Sequence, residues 1–285
     1  MPQNTRDIRR RIKSVQNTAQ ITKAMEMVSA AKLRKVQDAV LQAKPYLKSM
    51  EDMLAAISYS ARHVKHPLLE SRPVKKTAYL VITADRGLAG AYNANVIRRT
   101  TQEIRKVSKN EYTIFAVGRR GRDFFRRANI PITAEMTGLP DAPTYESVRS
   151  LAEQIVEGYG KGDYDALYIV YNEFVNAVTN RTVAKQVLPL TREESQVKAN
   201  EEYLYERDSD AVLAKLLPRF AETLMYQAVL DAKASEHGSR MASMGNATDS
   251  AHEMIGNLTL QLNRARQAAI TTQIAEVVGG AEALK

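Results

Sequence analysis

A glycine-rich loop is the first place where this chain could do chemistry. Gly87 and Gly90 follow an apolar run typical of a buried strand, and glycines at such a turn let backbone amides approach a phosphate. The loop lacks the Gly-Lys-Ser/Thr ending of a P-loop and the full Gly-x-Gly-x-x-Gly spacing of a dinucleotide site. We therefore predict a structural turn here, and we interpret the similar turn at residues 118–121 in the same way.

Residue types that bind metals or act as nucleophiles are scarce. The sequence contains no cysteine, which excludes disulfides, thiol nucleophiles and thiolate metal sites. Its histidines show no ligand spacing with nearby acids, and no serine, histidine and acid set can be identified. The sequence therefore predicts no catalytic residue, no cofactor site and no metal site. The histidines are His63, His66, His237 and His252.

The first arm of the chain carries apolar residues at a coiled-coil spacing. Alternating steps of four and three residues from Ile8 reach an almost unbroken apolar row. A sustained 3.5-residue repeat predicts a helix, roughly 80 Å long, that buries one seam against another long helix. The seam positions are Ile8, Ile12, Val15, Ala19, Thr22, Glu26, Ser29, Leu33, Val36, Val40, Ala43, Leu47, Met50, Leu54 and Ile57.

The other end of the sequence supplies a second long helical segment. It is predicted to start near residue 209 and to end near residue 278, before Gly279 and Gly280. Its distal half regains a regular apolar row, at Ile255, Leu258, Leu262, Ala265 and Ala269.

Between the two arms, strand-like apolar runs alternate with helical stretches, as in α/β domains. We predict strands at residues 78–83, 112–117, 165–171 and 178–188, and helices at 95–107, 121–128 and 144–159.

These patterns predict an α/β fold with long helices. The N- and C-terminal helices form an antiparallel coiled coil, and a Rossmann-like α/β domain is inserted between them. The predicted boundaries are residues 1–62 for the first helix, 74–190 for the α/β domain, 191–208 for a connection and 209–285 for the second helix.

The net charge of +9 leaves several function classes open. A basic excess suits nucleic acid, a membrane surface or an acidic protein, and solvated helix faces would produce it too. A basic coiled-coil protein that binds nucleic acid is one alternative, although the basic residues lack interleaved aromatics. A nucleotide-using α/β enzyme with helical extensions is the other. No apolar run approaches the roughly 20 residues of a membrane-spanning helix.

Several motifs along the whole chain resemble the gamma subunit of F-type ATP synthases. The N-terminal signature is Arg-Ile-Lys-Ser-Val-Gln-Asn-Thr at residues 11–18, continued at 21–28 and 31–32. Further matches are residues 85–90, 93, 95, 203–206, 234–236, 240–241, 244, 247–249, 265–267, 270–271, 276, 280–281 and 283. Family members often carry glutamate where this chain has Gln273, a departure of one charge.

The resemblance implies a non-catalytic rotor subunit at the cytoplasmic face of a bacterial membrane. It would stand inside a ring of alternating alpha and beta subunits, with its α/β domain against the epsilon subunit and the c-ring, and it would meet the membrane only through that complex. It would bind no nucleic acid.

The resemblance also implies contact residues, carried over one by one. Arg266 and Gln267 would contact beta-subunit loops. Met25 and Arg240 would meet a moving acidic segment of the beta subunit. Tyr203 and Tyr205 would face epsilon and the c-ring. Each also has a plainer reading as a packed or merely exposed side chain, which is the commoner meaning of Met25 on a helix.

The seam loses its apolar character at Thr22, Glu26 and Ser29, where the most recognisable motif begins. We interpret this stretch as the place where helix pairing gives way to contact with the surrounding ring.

Overall fold

The computed structural model describes residues 5–60, 66–108, 111–176, 179–190 and 209–282. The helices are α1 (Thr5–Ser60), α2 (Tyr92–Ile104), α3 (Arg119–Arg127), α4 (Tyr145–Lys161) and α5 (Ser209–Glu282), and a short 3₁₀ helix covers Pro67–Leu69. The strands are β1 (Thr77–Ile82), β2 (Tyr112–Val117), β3 (Ile132–Met136), β4 (Ala166–Phe174) and β5 (Asn180–Leu188). The chain groups into two compact units, one of Met1–Val28 with Met241–Lys285 and one of Ser29–Arg240.

The larger unit is organised around one mixed sheet with the strand order β3-β2-β1-β4-β5. β1, β2, β3 and β4 are parallel, and β5 returns antiparallel beside β4. Every residue of β1 and β2 is buried, which is typical of central parallel strands covered on both faces. The edge strands β3 and β5 include partly and fully exposed residues.

Helices cover both faces of this sheet. On one face, α4 and α5 pack against Leu80, Phe115 and Ile169 of the sheet. On the other face, Val96 of α2 and Phe125 of α3 lie in a second apolar cluster with Tyr79, Val81, Ile114 and Ala116. The fold class predicted from the sequence, long helices with a Rossmann-like α/β domain between them, is confirmed.

One glycine fixes the turn from β2 into α3. Gly118 has a φ of 89°, and a Cβ atom at this position would lie 2.1 Å from the carbonyl oxygen of Thr83. No other residue type fits so close to the neighbouring backbone. The helix that follows begins at Arg119, two residues before the predicted start at residue 121.

Several predicted boundaries were wrong, and one strand was missed. β3 escaped prediction because its five residues alternate between partial and full exposure and include Glu135, so they form no apolar run. α2 begins at Tyr92 rather than residue 95. α5 continues through Gly279 and Gly280 to Glu282, since glycine only weakens a helix and does not exclude it.

The smaller unit shows how the two ends of the chain pair. The Thr22 and Thr248 hydroxyl oxygens lie 2.7 Å apart. A Cβ atom built on Gly245 would lie 3.6 Å from the carboxyl carbon of Glu26, so these two residues face each other. Residue numbers rise on α5 as they fall on α1, so the helices are antiparallel.

The coiled-coil seam predicted for α1 is confirmed. Every seam position whose burial is described is buried or partly buried; the side chain of Ile57 lies outside the described residues. On α5, Ile255, Leu258, Leu262 and Ala265 are partly buried, whereas Ala269 is exposed.

The structure corrects one part of the interpretation of the polar break in the seam, and contact with a surrounding ring stays a prediction. Helix pairing does not give way at Thr22 and Glu26, because these side chains contact Thr248 and Gly245 of α5. Ser29, in the larger unit, is only 3% exposed. The break therefore replaces apolar pairing with a hydroxyl contact and with close approach to a glycine.

The hydroxyl contact between Thr22 and Thr248 predicts a non-additive pair of substitutions. Thr248→Val should destabilise the chain by about 1 kcal/mol because it removes the contact between the two hydroxyls and leaves Thr22 with the Ala19 carbonyl, 3.1 Å away. Adding Thr22→Val should cost less than the sum of the two single changes, since the contact between the hydroxyls can be lost only once.

Urea unfolding followed by circular dichroism measures this coupling. Thr259→Val is the matched control, because Thr259 makes only the hydrogen bond to the carbonyl four residues earlier. Strict additivity of the two changes would contradict the predicted contact.

Candidate functional site

The carboxyl ends of parallel strands are where doubly wound domains usually bind ligands. The strand order reverses beside β1, so that crevice lies between the ends of β1 and β4. In this chain, α5 is hydrogen-bonded to residues that line the crevice. The Tyr92 hydroxyl donates to the Ala232 carbonyl of α5 at 3.0 Å, and the Asn172 amide near the end of β4 donates to the Tyr92 carbonyl at 3.1 Å.

The glycine-rich loop between β1 and α2 forms a turn, as predicted, and it is tied down at several points. The Asp85 carboxylate accepts the backbone amides of Arg119 at 3.0 Å and Gly138 at 2.9 Å. Leu88 has a φ of 61° and is 62% exposed. The Gly87 carbonyl accepts hydrogen bonds from the Arg240 guanidinium of α5. The loop backbone is thus used in a contact within the chain.

A cavity of about 10 Å³, with room for about one water molecule, remains where α5 crosses the sheet edge. Its polar lining comes from both sides of the junction: Thr83, Asp85 and Tyr92 on the α/β side, and Lys233 and Glu236 on α5. Small-molecule sites usually occupy roughly 300–1,000 Å³. The cavity is therefore a gap in the packing of α5 against the strand ends, smaller than the usual ligand site.

Charged residues of α5 are paired inside this junction. Glu236 is 6% exposed, and its carboxylate lies 3.2 Å from the Lys233 ammonium and 2.7 Å from the Arg240 guanidinium. Burial by itself would raise the pKa of Glu236. The charges of Lys233 and Arg240, with the hydrogen bond from Arg240, outweigh it and hold that pKa below its ordinary value. The carboxylate therefore stays ionised in the interior.

A second set of charges links α5 to α1 and to the loop before α4. The His237 ring nitrogen Nε2 lies 3.5 Å from the Asp141 carboxylate, which is 3.0 Å from the Lys32 ammonium of α1. Burial of His237 lowers its pKa despite the neighbouring carboxylates. Partial burial of Asp141 opposes ionisation, but the hydrogen bond and charge of Lys32 prevail and lower its pKa. Three separate segments of the larger unit therefore meet at Asp141.

One carboxyl group of α5 is poorly compensated. Burial, together with the charge of the nearby Glu173 on β4, raises the pKa of Asp231 to about 6. The Gln227 amide, which donates a hydrogen bond at 3.4 Å, and the charge of Lys185 on β5 oppose this rise. Glu173 is itself paired with Arg181 at 2.9 Å. Asp231 therefore carries its charge at an energetic cost above about pH 6.

The raised pKa of Asp231 predicts a gain of stability on neutralisation. The folded chain keeps this proton up to about pH 6, whereas the ordinary pKa of an aspartate, which applies to the unfolded chain, is 3.8. Stability from this group is thus highest at low pH and falls as pH rises from 3.8 to 6. Asp231→Asn should raise the free energy of unfolding at pH 8 by about 1 to 3 kcal/mol, and by less at pH 4.5.

Urea titrations at these two pH values test the sign of the effect. Asp38→Asn on an exposed part of α1 is the matched control and should shift stability equally at both. A loss of stability in Asp231→Asn at pH 8 would show that the carboxylate is favoured where it lies.

The sequence-predicted contact residues fall into three groups. Arg266 and Gln267 are exposed on α5, and Met25 is partly buried. Arg240 is only 12% exposed and is bonded to Glu236 and Gly87. Tyr203 and Tyr205 lie outside the described residues.

Sequence reasoning missed the junction itself. Lys233, Glu236 and Arg240 are spaced three and four residues apart, which places them on one helix face. They also lie in a segment rich in alanine and serine, a composition typical of close helix packing. Charges on a face of small residues were the signal available. Gly87, which accepts hydrogen bonds from Arg240, lies far away in sequence and could not be paired with it without the fold.

The fold and the junction define a class: a doubly wound α/β domain inserted between two long helices, with the second helix hydrogen-bonded to the loop that follows β1. None of the described helices is both long and apolar enough to cross a membrane.

Comparison with known proteins narrows the class. Residues 4–284 match the protein family described as ATP synthase. The chain is 50% identical over 285 residues to the ATP synthase gamma chain of Brevibacillus brevis, covering 99% of each chain. It is 47% identical over 282 residues to that of Desulfitobacterium hafniense, again with 99% of each covered. The chain therefore belongs to the family of ATP synthase gamma chains.

Solved structures share the fold at lower identity. A chain of the Euglena gracilis mitochondrial ATP synthase, OSCP/F1/c-ring, in rotational state 3, aligns with a TM-score of 0.66 and 18% identity, covering 98% of this chain and 94% of that one. A chain of the Tetrahymena thermophila central stalk and c-ring gives a TM-score of 0.61 and 21% identity, covering 80% of this chain and 99% of that one.

Proposed function

We propose that this chain is the central rotor of a bacterial F-type ATP synthase. In this function, ion flow turns the c-ring and the α/β domain attached to it, and the long helices force three beta-subunit sites in turn through different nucleotide affinities. ATP hydrolysis drives the reverse rotation. The observation that carries the proposal is the 50% identity to an ATP synthase gamma chain over nearly the whole of both chains.

The proposed partners are the alpha and beta subunits, the epsilon subunit and the c-ring. The chain would lie at the cytoplasmic face of the membrane and reach the membrane only through these subunits. It would have no catalytic site of its own. The proposed division is a helix at residues 1–62, the α/β domain at 74–190, a connection at 191–208 and a second helix at 209–285.

The distal end of α5 supports a role inside a ring of other subunits. Beyond Ala265, every residue of α5 whose burial is described is exposed. This stretch includes apolar residues at helical spacing, among them Ile270 at 44%, Ile274 at 58% and Val277 at 72% exposure. An exposed apolar stripe of this kind favours contact with another protein surface. Short apolar and small side chains would let that surface slide past.

The contact residues proposed from family resemblance differ in how free they are to meet partners. Arg266 and Gln267 are exposed and could reach beta-subunit loops directly. Met25 is only partly buried and could reach a moving acidic segment of the beta subunit. Arg240 would have to do so while it holds Glu236 and Gly87. Tyr203 and Tyr205 remain proposed contacts to epsilon and the c-ring.

Assembly is the direct test of the proposal. The full chain, mixed with purified alpha and beta subunits, should form a complex with one copy for every three of each, and this complex should hydrolyse ATP vigorously. Size-exclusion chromatography with subunit quantification and an ATPase assay measure both results. Failure to join the complex would overturn the proposal, and tight ATP binding to the isolated chain by calorimetry would favour a nucleotide-using enzyme instead.

Arg266 and Gln267 should matter for coupling rather than for folding. Replacing both with alanine should reduce ATP synthesis and torque in the reassembled complex, because their side chains are exposed and make no hydrogen bond or ion pair with the described residues. Arg98→Ala with Gln102→Ala on α2 is a matched control, since it removes one exposed arginine and one exposed glutamine elsewhere. Unchanged synthesis and torque in the Arg266 and Gln267 variant would contradict the assignment.

A further inference from the structure

One stretch of α5 is enclosed on all sides although it carries charges. From Ala228 to Gly238, every residue is buried except the partly buried Asp231. Within this stretch, the side chains of Lys233 and Glu236 are 9% and 6% exposed. Charged groups are seldom buried to this degree unless they are paired. The stretch therefore contains a built polar arrangement.

Glu236 is the centre of that arrangement. One carboxylate oxygen accepts a hydrogen bond from the Lys233 ammonium at 3.2 Å, and the other accepts from the Arg240 guanidinium at 2.7 Å. The same guanidinium donates to the Gly87 carbonyl at 3.4 and 3.5 Å. Glu236 thus orients the arginine that joins α5 to the loop at residues 85–90.

The joined loop is itself fixed to the sheet. The Asp85 carboxylate accepts hydrogen bonds from two backbone amides, one just after β2 and one just after β3. The Asn93 side chain accepts a hydrogen bond from the Ala84 amide at 2.9 Å and donates one to the Arg86 carbonyl at 3.5 Å. A rotation of α5 about its axis would therefore pull the Arg240 guanidinium away from a carbonyl that cannot follow.

The side chains around Glu236 on α5 are of mixed size. Ala228, Ala232, Ala234, Ser235 and Gly238 are small, whereas Val229, Leu230 and His237 are large and fully buried. The small side chains give their part of the helix shallow ridges, so that part contributes little to fixing the rotation of α5. Buried ion pairs add little net stability, but their directional bonds distinguish one geometry from another.

We propose that Glu236 is a positioning residue that locks the rotation of α5 against the loop at residues 85–90. The lock acts through Arg240 and the Gly87 carbonyl, and Lys233 completes the charge balance around the carboxylate. In a rotor, such a lock keeps torque from being lost as slippage between α5 and the α/β domain. The lock is a property of this chain alone; only its use in transmitting torque rests on the proposed function.

Distance measurements on the full chain test the lock directly. The chain contains no cysteine, so Arg86→Cys and Lys215→Cys provide two specific spin-label positions, both exposed and both in the larger unit. In pulsed electron paramagnetic resonance, Glu236→Gln should raise the population of other label distances roughly tenfold, as expected for loss of charge-assisted bonds.

A matched control separates this effect from loss of charge in general. Glu153→Gln breaks a pair with Arg149 at the same four-residue helical spacing, but at an exposed site on α4. It should leave the distance distribution unchanged. An unchanged distribution in Glu236→Gln as well would overturn the lock.

A second variant covers the case in which Glu236→Gln does not fold. Arg240→Lys keeps the positive charge but loses the planar fork that reaches both Glu236 and Gly87. It should broaden the distance distribution while circular dichroism shows an unchanged helix content. A distribution as narrow as that of the unsubstituted chain would count against the lock.

The consequence for coupling is measured in the reassembled complex in lipid vesicles. Glu236→Gln should retain ATP hydrolysis but lose ion pumping per ATP hydrolysed, whereas a change that only lowered stability would reduce both together. Normal pumping in Glu236→Gln would overturn the role of the lock in coupling. Absence of pumping with the unsubstituted chain would instead count against the proposed function.

Discussion

The pairing of the two ends of the chain is the constraint on which the rest of the structure depends. α1 carries an apolar seam along its 56 residues, and a seam of that length needs another long helix to cover it. α5 supplies that cover, as the antiparallel contact between Thr22 and Thr248 shows. Because the first and last segments must meet, the α/β region has to be an insertion between them.

In this chain the crevice of the doubly wound domain is occupied by α5. In a doubly wound domain the crevice at the switch point of the sheet is the usual place for a ligand. Here the Ala232 carbonyl of α5 accepts a hydrogen bond at that place, from the Tyr92 hydroxyl. The loop that follows β1 keeps its glycines but offers a carbonyl to Arg240. The place where such a domain usually binds a small molecule is here the junction between the α/β domain and α5.

The junction combines small side chains, which allow close approach, with buried charges, which fix the orientation of α5. Alanine, serine and glycine let α5 approach the strand ends closely, but they specify its rotation poorly. Lys233, Glu236 and Arg240 supply direction at the cost of desolvation, which their mutual pairing offsets. Asp231 lacks such pairing, and its pKa is raised as a result. The same helix therefore contains a buried carboxylate whose charge is compensated, Glu236, and one whose charge is not, Asp231.

The sequence by itself determined the two long helices, the coiled-coil seam, the α/β middle and the family, because periodicity and contiguous motifs are local properties of the chain. It could not determine the junction. Gly87 and Arg240 are 153 residues apart, and only tertiary packing brings them together. It also misjudged Thr22 and Glu26, since whether a polar side chain ends a seam or continues it depends on the residue opposite. The sequence also failed to predict β3, because an edge strand with a mixed polar and apolar sequence is recognised only by its pairing with the neighbouring strand.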